Sequence, residues 1–136
     1  MASSNITPGR NRTVSIIGQG YVGLPLAMAA VSAGLEVVAI EKSADRVAQL
    51  NSGVSPVEDV SSKELAAAVA SGRYLVTGDF AAISNSAVVV ICVPTPLDGK
   101  REPDLTLLES AVKSIAQHLA DETGKKNNSL EPKLPI

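Results

Sequence analysis

The stretch Thr13-Val-Ser-Ile-Ile-Gly-Gln-Gly-Tyr-Val-Gly-Leu-Pro-Leu-Ala27 decides how this chain is read. A short β-prone run, Thr13 to Ile17, meets three glycines at 18, 20 and 23. A helical pattern then runs from Tyr21 to Ala33 and stops at Gly34. Pro25 falls in its first turn, where a missing amide is tolerated because early helical amides have no intrahelical acceptor. This order gives each glycine a task. Gly18 allows the tight turn, Gly20 lets a ligand approach the backbone, and Gly23 lets the helix pack closely on the strand. The first helical amides, at the positive end of the helix, are then placed to receive phosphate groups.

Working outward, Glu36 to Ile40 is a second apolar strand that ends at Glu41. An acid at the end of strand 2, about 20 residues beyond the glycines, is the partner a dinucleotide site needs. Its carboxylate accepts both hydroxyls of an adenosine ribose and repels the 2′-phosphate of NADP, so the pattern favours NAD. Lys42 weakens that exclusion slightly. FAD and SAM sites share much of this geometry, so the glycine pattern alone leaves the cofactor open. The bland alternative is a strand-ending turn beside a surface acid.

Ser43 is a plausible cap for a helix from Ala44 to Asn51, which carries Arg46. A loop from Val54 to Val60 follows, containing Pro56, Glu58 and Asp59. Ser61 or Ser62 caps the next helix, and Ser61 with Glu64 has the spacing of a capping box. Gly72 ends that helix. Tyr74 to Val76 is a third strand, and Asp79 caps a one- or two-turn helix to Ser84. Ala87 to Val93 is a fourth strand without polar alternation, the mark of a strand covered on both faces. Pro94 to Pro103 is a loop, and Asp104 or Thr106 caps a final helix reaching residue 120.

Strands alternating with helices predict an α/β fold with a parallel sheet, helices on both faces and right-handed crossovers. The expected arrangement is of the Rossmann type, with strand order 3-2-1-4 and a ligand crevice between strands 1 and 4. Residues 1–12 read as a flexible arm and residues 13–120 as the domain. Residues 121–136 hold two prolines and no strand pattern, so they read as a disordered or non-native tail and the sheet as truncated.

Composition narrows the function classes. The chain has 136 residues, enough for one domain, with 45% apolar and only 2% aromatic residues, so the core must be aliphatic. A net charge of -2 with mixed signs gives no nucleic-acid or anionic-membrane surface. No apolar run approaches a membrane span, and residues before Arg12 lack a signal-peptide core. One cysteine and one histidine cannot supply a Cys/His metal site. The lone Cys92 argues mildly for a reducing, cytoplasmic setting.

Among other candidates, Cys92 sits in an apolar strand and reads as a small core hydrophobe rather than a nucleophile. Thr95 stands between two prolines at the carboxyl end of strand 4, beside the crevice. That position favours contact with the nicotinamide side of the cofactor over a mere rigid turn. His118 reads as a boundary residue. The Pro56–Asp59 loop reads as solvated. No nucleophile–base pair or carboxylate pair can be argued, so the sequence shows a cofactor site without visible chemistry.

The blocks Ile16-Ile-Gly-Gln-Gly-Tyr-Val-Gly-Leu-Pro-Leu-Ala27, Leu50-Asn-Ser-Gly-Val-Ser-Pro-Val-Glu-Asp59, Thr77-Gly-Asp79, Ile91-Cys-Val-Pro-Thr-Pro-Leu97 and Pro103-Asp-Leu105 together resemble the UDP-glucose/GDP-mannose dehydrogenases. The resemblance covers about residues 13 to 120 and is closest to enzymes acting on UDP-N-acetylhexosamines. It implies an NAD-binding domain whose pyrophosphate lies on Gly18, Gly20, Tyr21, Val22 and Gly23. By the same resemblance Glu41, where the family usually has Asp, and Arg46 face the adenosine ribose. Val93, Pro94 and Thr95 border the cofactor. The implied activity is oxidation of a UDP-sugar at C6 by two hydride transfers to NAD, through a cysteine-bound thiohemiacetal and thioester. A lysine, an asparagine and an aspartate assist. Those catalytic residues, and a Glu-Ser-Thr-Thr motif, belong to family regions this chain does not match; Cys92 is not the catalytic cysteine. The expectation is a cofactor-binding portion, inactive alone and part of a homo-oligomer. The rival expectation is a stand-alone dinucleotide-binding or self-associating module.

Overall fold

A computed structural model describes residues 12–119. Most of the expected arm and all of the expected tail lie outside the described residues. Four parallel strands form one sheet in the order β3-β2-β1-β4, as the alternation of elements predicts. They are β1 (Thr13–Ile17), β2 (Glu36–Ile40), β3 (Tyr74–Thr77) and β4 (Val88–Ile91). In register, Ile16 lies between Ala39 of β2 and Val90 of β4.

The helices are α1 (Gly23–Ser32), α2 (Ala44–Asn51), α3 (Ser62–Ser71) and α4 (Thr106–His118). A short 3₁₀ turn covers Phe80–Ile83, where Asp79 accepts from the Ala81 amide. Strand side chains alternate between two aliphatic cores, as the pleat requires. Ile16, Val37, Ala39, Tyr74 and Val76 face one core with Leu24 and Met28 of α1 and Leu65 of α3. Ile17 and Ile40 face the other with Ile83 of the 3₁₀ turn and Ala111 and Ile115 of α4.

Three boundaries differ from the sequence reading. α1 begins at Gly23 rather than Tyr21, because residues 21 and 22 complete the glycine turn. α4 has neither expected cap: Leu105 holds the N-cap position, while the Asp104 carboxylate accepts from both the amide and the hydroxyl of Thr106. β4 is shorter than Ala87 to Val93 and is not fully covered. It sends Val90 and Cys92 toward one core and Val89, Ile91 and Val93 toward the other, but all are only half-buried and Val88 is exposed. Its continuous apolar character reads as a central strand, yet among the described residues only β1 pairs with it.

Candidate functional site

The glycine turn sits between two neighbouring strands. The Gly18 amide donates to the Ile40 carbonyl at 2.7 Å, and the Cys92 amide donates to the Ile17 carbonyl at 2.7 Å. Gly18 has φ +95°, and a Cβ there would stand 2.5 Å from the Cys92 carbonyl oxygen. A Cβ on Gly23 would stand 1.7 Å from the Gly18 carbonyl oxygen. The fold itself therefore demands these two glycines. Gly20 is different: the nearest atom to its Cβ position is Nη1 of Arg46, at 3.6 Å. Among the described residues nothing forbids a side chain there, so the fold does not account for this glycine.

The helix that follows carries no side-chain cap. Tyr21 and Val22 stand out from the turn, 80% and 66% exposed. An uncapped helix start with a positive partial charge binds phosphate groups well.

Beside it, the turn after β2 places Glu41. One carboxylate oxygen accepts from the Gln19 amide at 3.0 Å and the other from the Ser43 amide at 3.1 Å. Ser43 caps α2 by accepting from the Arg46 amide. The Arg46 guanidinium reaches back and donates to the Gln19 carbonyl at 3.2 Å. An acid oriented by two amides keeps lone pairs for ribose hydroxyls. A cleft of about 980 Å³ runs from Glu41 across the glycine turn to Val93 and Pro94 beyond β4, walled by Ser110 and Ser114 of α4. That volume lies in the range of small-molecule sites. Acceptor, open amides and cleft thus fit a dinucleotide at the crevice between β1 and β4.

The structure brings together Gly18, Gly20, Tyr21, Val22, Glu41, Arg46, Val93 and Pro94 around this cleft. Gly23 supports the turn from behind. Thr95 is exposed and does not line the cleft, although it adjoins Pro94, which does. Cys92 lines the cleft partly exposed, and burial raises its thiol pKa, which suppresses the reactive thiolate. His118 is half-buried with Nδ1 2.9 Å from the Ser114 carbonyl of its own helix. Pro56, Val57 and Glu58 do not simply face solvent. They line a second cavity of about 460 Å³ with Gly20, Tyr21 and Arg46, whereas Asp59 does not.

One residue of the site escaped the sequence reading. Gln19, between the first two glycines, is fully buried. Its Nε2 donates to the Gly18 carbonyl at 2.9 Å, and its Oε1 accepts from the Tyr74 hydroxyl at 2.7 Å. Nothing in periodicity or spacing marks that position.

A model of the NAD binding domain of one protein family matches residues 12–125; its family is UDP-glucose/GDP-mannose dehydrogenase. The chain belongs to the UDP-glucose/GDP-mannose dehydrogenase family. NAD is the cofactor of the domain it matches. The chain is 34% identical over 105 residues to the UDP-N-acetyl-D-mannosamine dehydrogenase of Pyrococcus horikoshii, covering 76% of this chain and 25% of that protein. It is 36% identical over 112 residues to the GDP-mannose 6-dehydrogenase of Pseudomonas putida, covering 81% of this chain and 26% of that one. Its fold matches the crystal structure of a GDP-mannose dehydrogenase ternary complex from Pseudomonas aeruginosa with a TM-score of 0.75. Identity there is 32%, covering 80% of this chain and 26% of that one. The chain thus spans about a quarter of the length of these UDP-glucose/GDP-mannose dehydrogenase relatives.

Proposed function

We propose that this chain is the cofactor-binding part of a cytoplasmic, NAD-dependent nucleotide-sugar 6-dehydrogenase, and that it is inactive alone. The observation that carries the reading is the uncapped start of α1 beside the amide-held carboxylate of Glu41. In this reading the amides around Gly20, Tyr21 and Val22 hold the pyrophosphate, and Gly18 and Gly23 shape the turn. Glu41 accepts the adenosine ribose hydroxyls and Arg46 flanks them. Val93, Pro94 and Thr95 border the nicotinamide end.

The names of the relatives support a UDP-N-acetylhexosamine as substrate. Such an enzyme would take the C6 alcohol to the carboxylate by two successive two-electron oxidations, through the cysteine-bound intermediates that the family resemblance implies. NAD supplies the hydride acceptor in both steps. The contribution of this chain's residues is to bind and orient it.

A titration of the chain with NAD and NADP tests the site. NAD is expected to bind more tightly, and Glu41→Gln is expected to narrow the preference by about tenfold. Tighter NADP binding by the parent chain overturns the role of Glu41. Turnover of NAD by the chain with UDP-N-acetylmannosamine overturns the expected inactivity. A second reading, a self-associating module, draws on the half-exposed β4, since an open strand edge is a pairing surface. A sedimentation mass that stays monomeric over a wide concentration range excludes it.

A further inference from the structure

Gln19 is a polar residue with no exposed surface, set against an aliphatic core. Burying an amide side chain is unfavourable unless its polar atoms are matched. Here both are. Nε2 donates to the Gly18 carbonyl, which points inward at Gly23, and Oε1 accepts from the hydroxyl of Tyr74 on β3. An apolar side chain of similar length would fill the space but leave the Gly18 carbonyl and the Tyr74 hydroxyl without these partners. Burial, and then the nearby Glu41 charge, raise the Tyr74 pKa well above the usual tyrosine range. The hydroxyl stays protonated, and because Nε2 is taken up by the Gly18 carbonyl, it is Oε1 that faces the hydroxyl and accepts from it.

The main chain of the same residue serves the ligand side. Its amide donates to Glu41 Oε1 and its carbonyl accepts from Arg46 Nη1. One residue thus ties four parts together: the floor of the sheet at Tyr74, the glycine turn, the acid ending β2, and the arginine on α2. A small tilt at residue 19 moves the Glu41 and Arg46 contacts together.

We propose that Gln19 and Tyr74 form a buried positioning pair for the dinucleotide site. Anchored below by the Tyr74 hydroxyl, Gln19 sets the glycine turn against Glu41, so that turn and carboxylate meet the same ligand in register. The two side chains are buried beneath the turn, so the pair acts through the groups it orients. The proposal rests on the reading of the glycine turn as the NAD site.

The test compares the parent chain with Tyr74→Phe, Gln19→Leu and the double variant. NMR titrations with NAD and with NADP, read on the folded protein, follow binding, and thermal unfolding follows stability. Tyr74→Phe keeps the ring and removes only the hydroxyl. It is expected to weaken NAD binding about fivefold and to narrow the NAD-to-NADP preference. The double variant removes the Tyr74 hydroxyl that Gln19→Leu leaves unpaired, so it is expected to recover part of the stability lost in Gln19→Leu while NAD binding stays weak. If Tyr74→Phe does not fold, the double variant carries the same comparison. A lower melting temperature with NAD affinity within about twofold of the parent and an unchanged cofactor preference marks a purely structural pair and overturns the proposal. Absence of saturable NAD binding by the parent chain overturns the site reading, and the proposal with it.

Discussion

The turn leaving β1 and the turn leaving β2 lie side by side at one end of the sheet, and they treat their helix starts in opposite ways. At the second turn Ser43 caps α2, and Glu41 takes up the Ser43 amide. At the first turn no side chain caps α1, and the residues before it stand exposed. A missing cap forgoes about 1 kcal/mol of helix stability. The chain has the means to close a helix start, as Ser61 shows again at α3. α4 also lacks a side-chain cap, so it is the neighbouring Glu41 and the open cleft, together with the uncapped start of α1, that favour the proposed ligand site there. In the proposed site the closed turn would supply an acceptor and the open turn donors.

The same contrast runs through the glycines, and substitutions there have the largest expected effect. Gly23→Ala drives a methyl into the Gly18 carbonyl, so it is expected to destabilise the fold by about 3 kcal/mol or more, read by urea denaturation. A loss below about 1 kcal/mol breaks the claim that the fold itself demands this glycine. Gly20→Ala meets only the far end of Arg46, so unfolding is expected to change little. Its NAD affinity is expected to fall about tenfold, roughly 1.4 kcal/mol, in a calorimetric titration. Unchanged affinity means that the open space above Gly20 is not the ligand's.

Smaller effects sharpen the comparison. Ser61→Ala removes a cap remote from the cleft and is expected to lower stability by about 1 kcal/mol with NAD affinity unaltered. Any parallel loss of affinity would blur the line between closed and open helix starts. The smallest effect is alkaline. Because the Tyr74 pKa is raised on folding, the unfolded chain loses its proton first, and stability falls as pH rises through the ordinary tyrosine value. At pH 10 the expected loss is about 0.4 kcal/mol. Tyr74→Phe should abolish it, as followed by denaturation midpoints at pH 8 and 10.

Much of this organisation is legible in the residues. β1, β2 and α2 follow directly from the apolar runs and from Ser43, because these signals are local: a strand-prone run, a capping hydroxyl and a stop. The glycine turn and Glu41 are legible because their spacing matches that of a dinucleotide-binding strand–turn–helix. β4 reads too long because its side chains reach both cores, and an apolar run does not reveal whether a neighbour covers its second edge. Gln19 is hidden for another reason. Its meaning depends on Tyr74, far along the chain, and a lone polar residue between two glycines resembles any solvent-facing turn residue. The acids of the Pro56–Asp59 loop are exposed, as read, while the approach of Pro56, Val57 and Glu58 to Arg46 depends on how the chain turns back after α2, which no local signal shows.

The fit of Gly18 against the Cys92 carbonyl has a consequence for the order in which the chain assembles. The glycine turn is contiguous in sequence, but its shape is held by hydrogen bonds and contacts from Ile40 and Cys92. Long-range contacts form only after the intervening chain has closed. β1 and α1 alone lack these partners, which come from the ends of β2 and β4. The shape of the turn is thus a property of the assembled sheet and not of the glycine stretch alone.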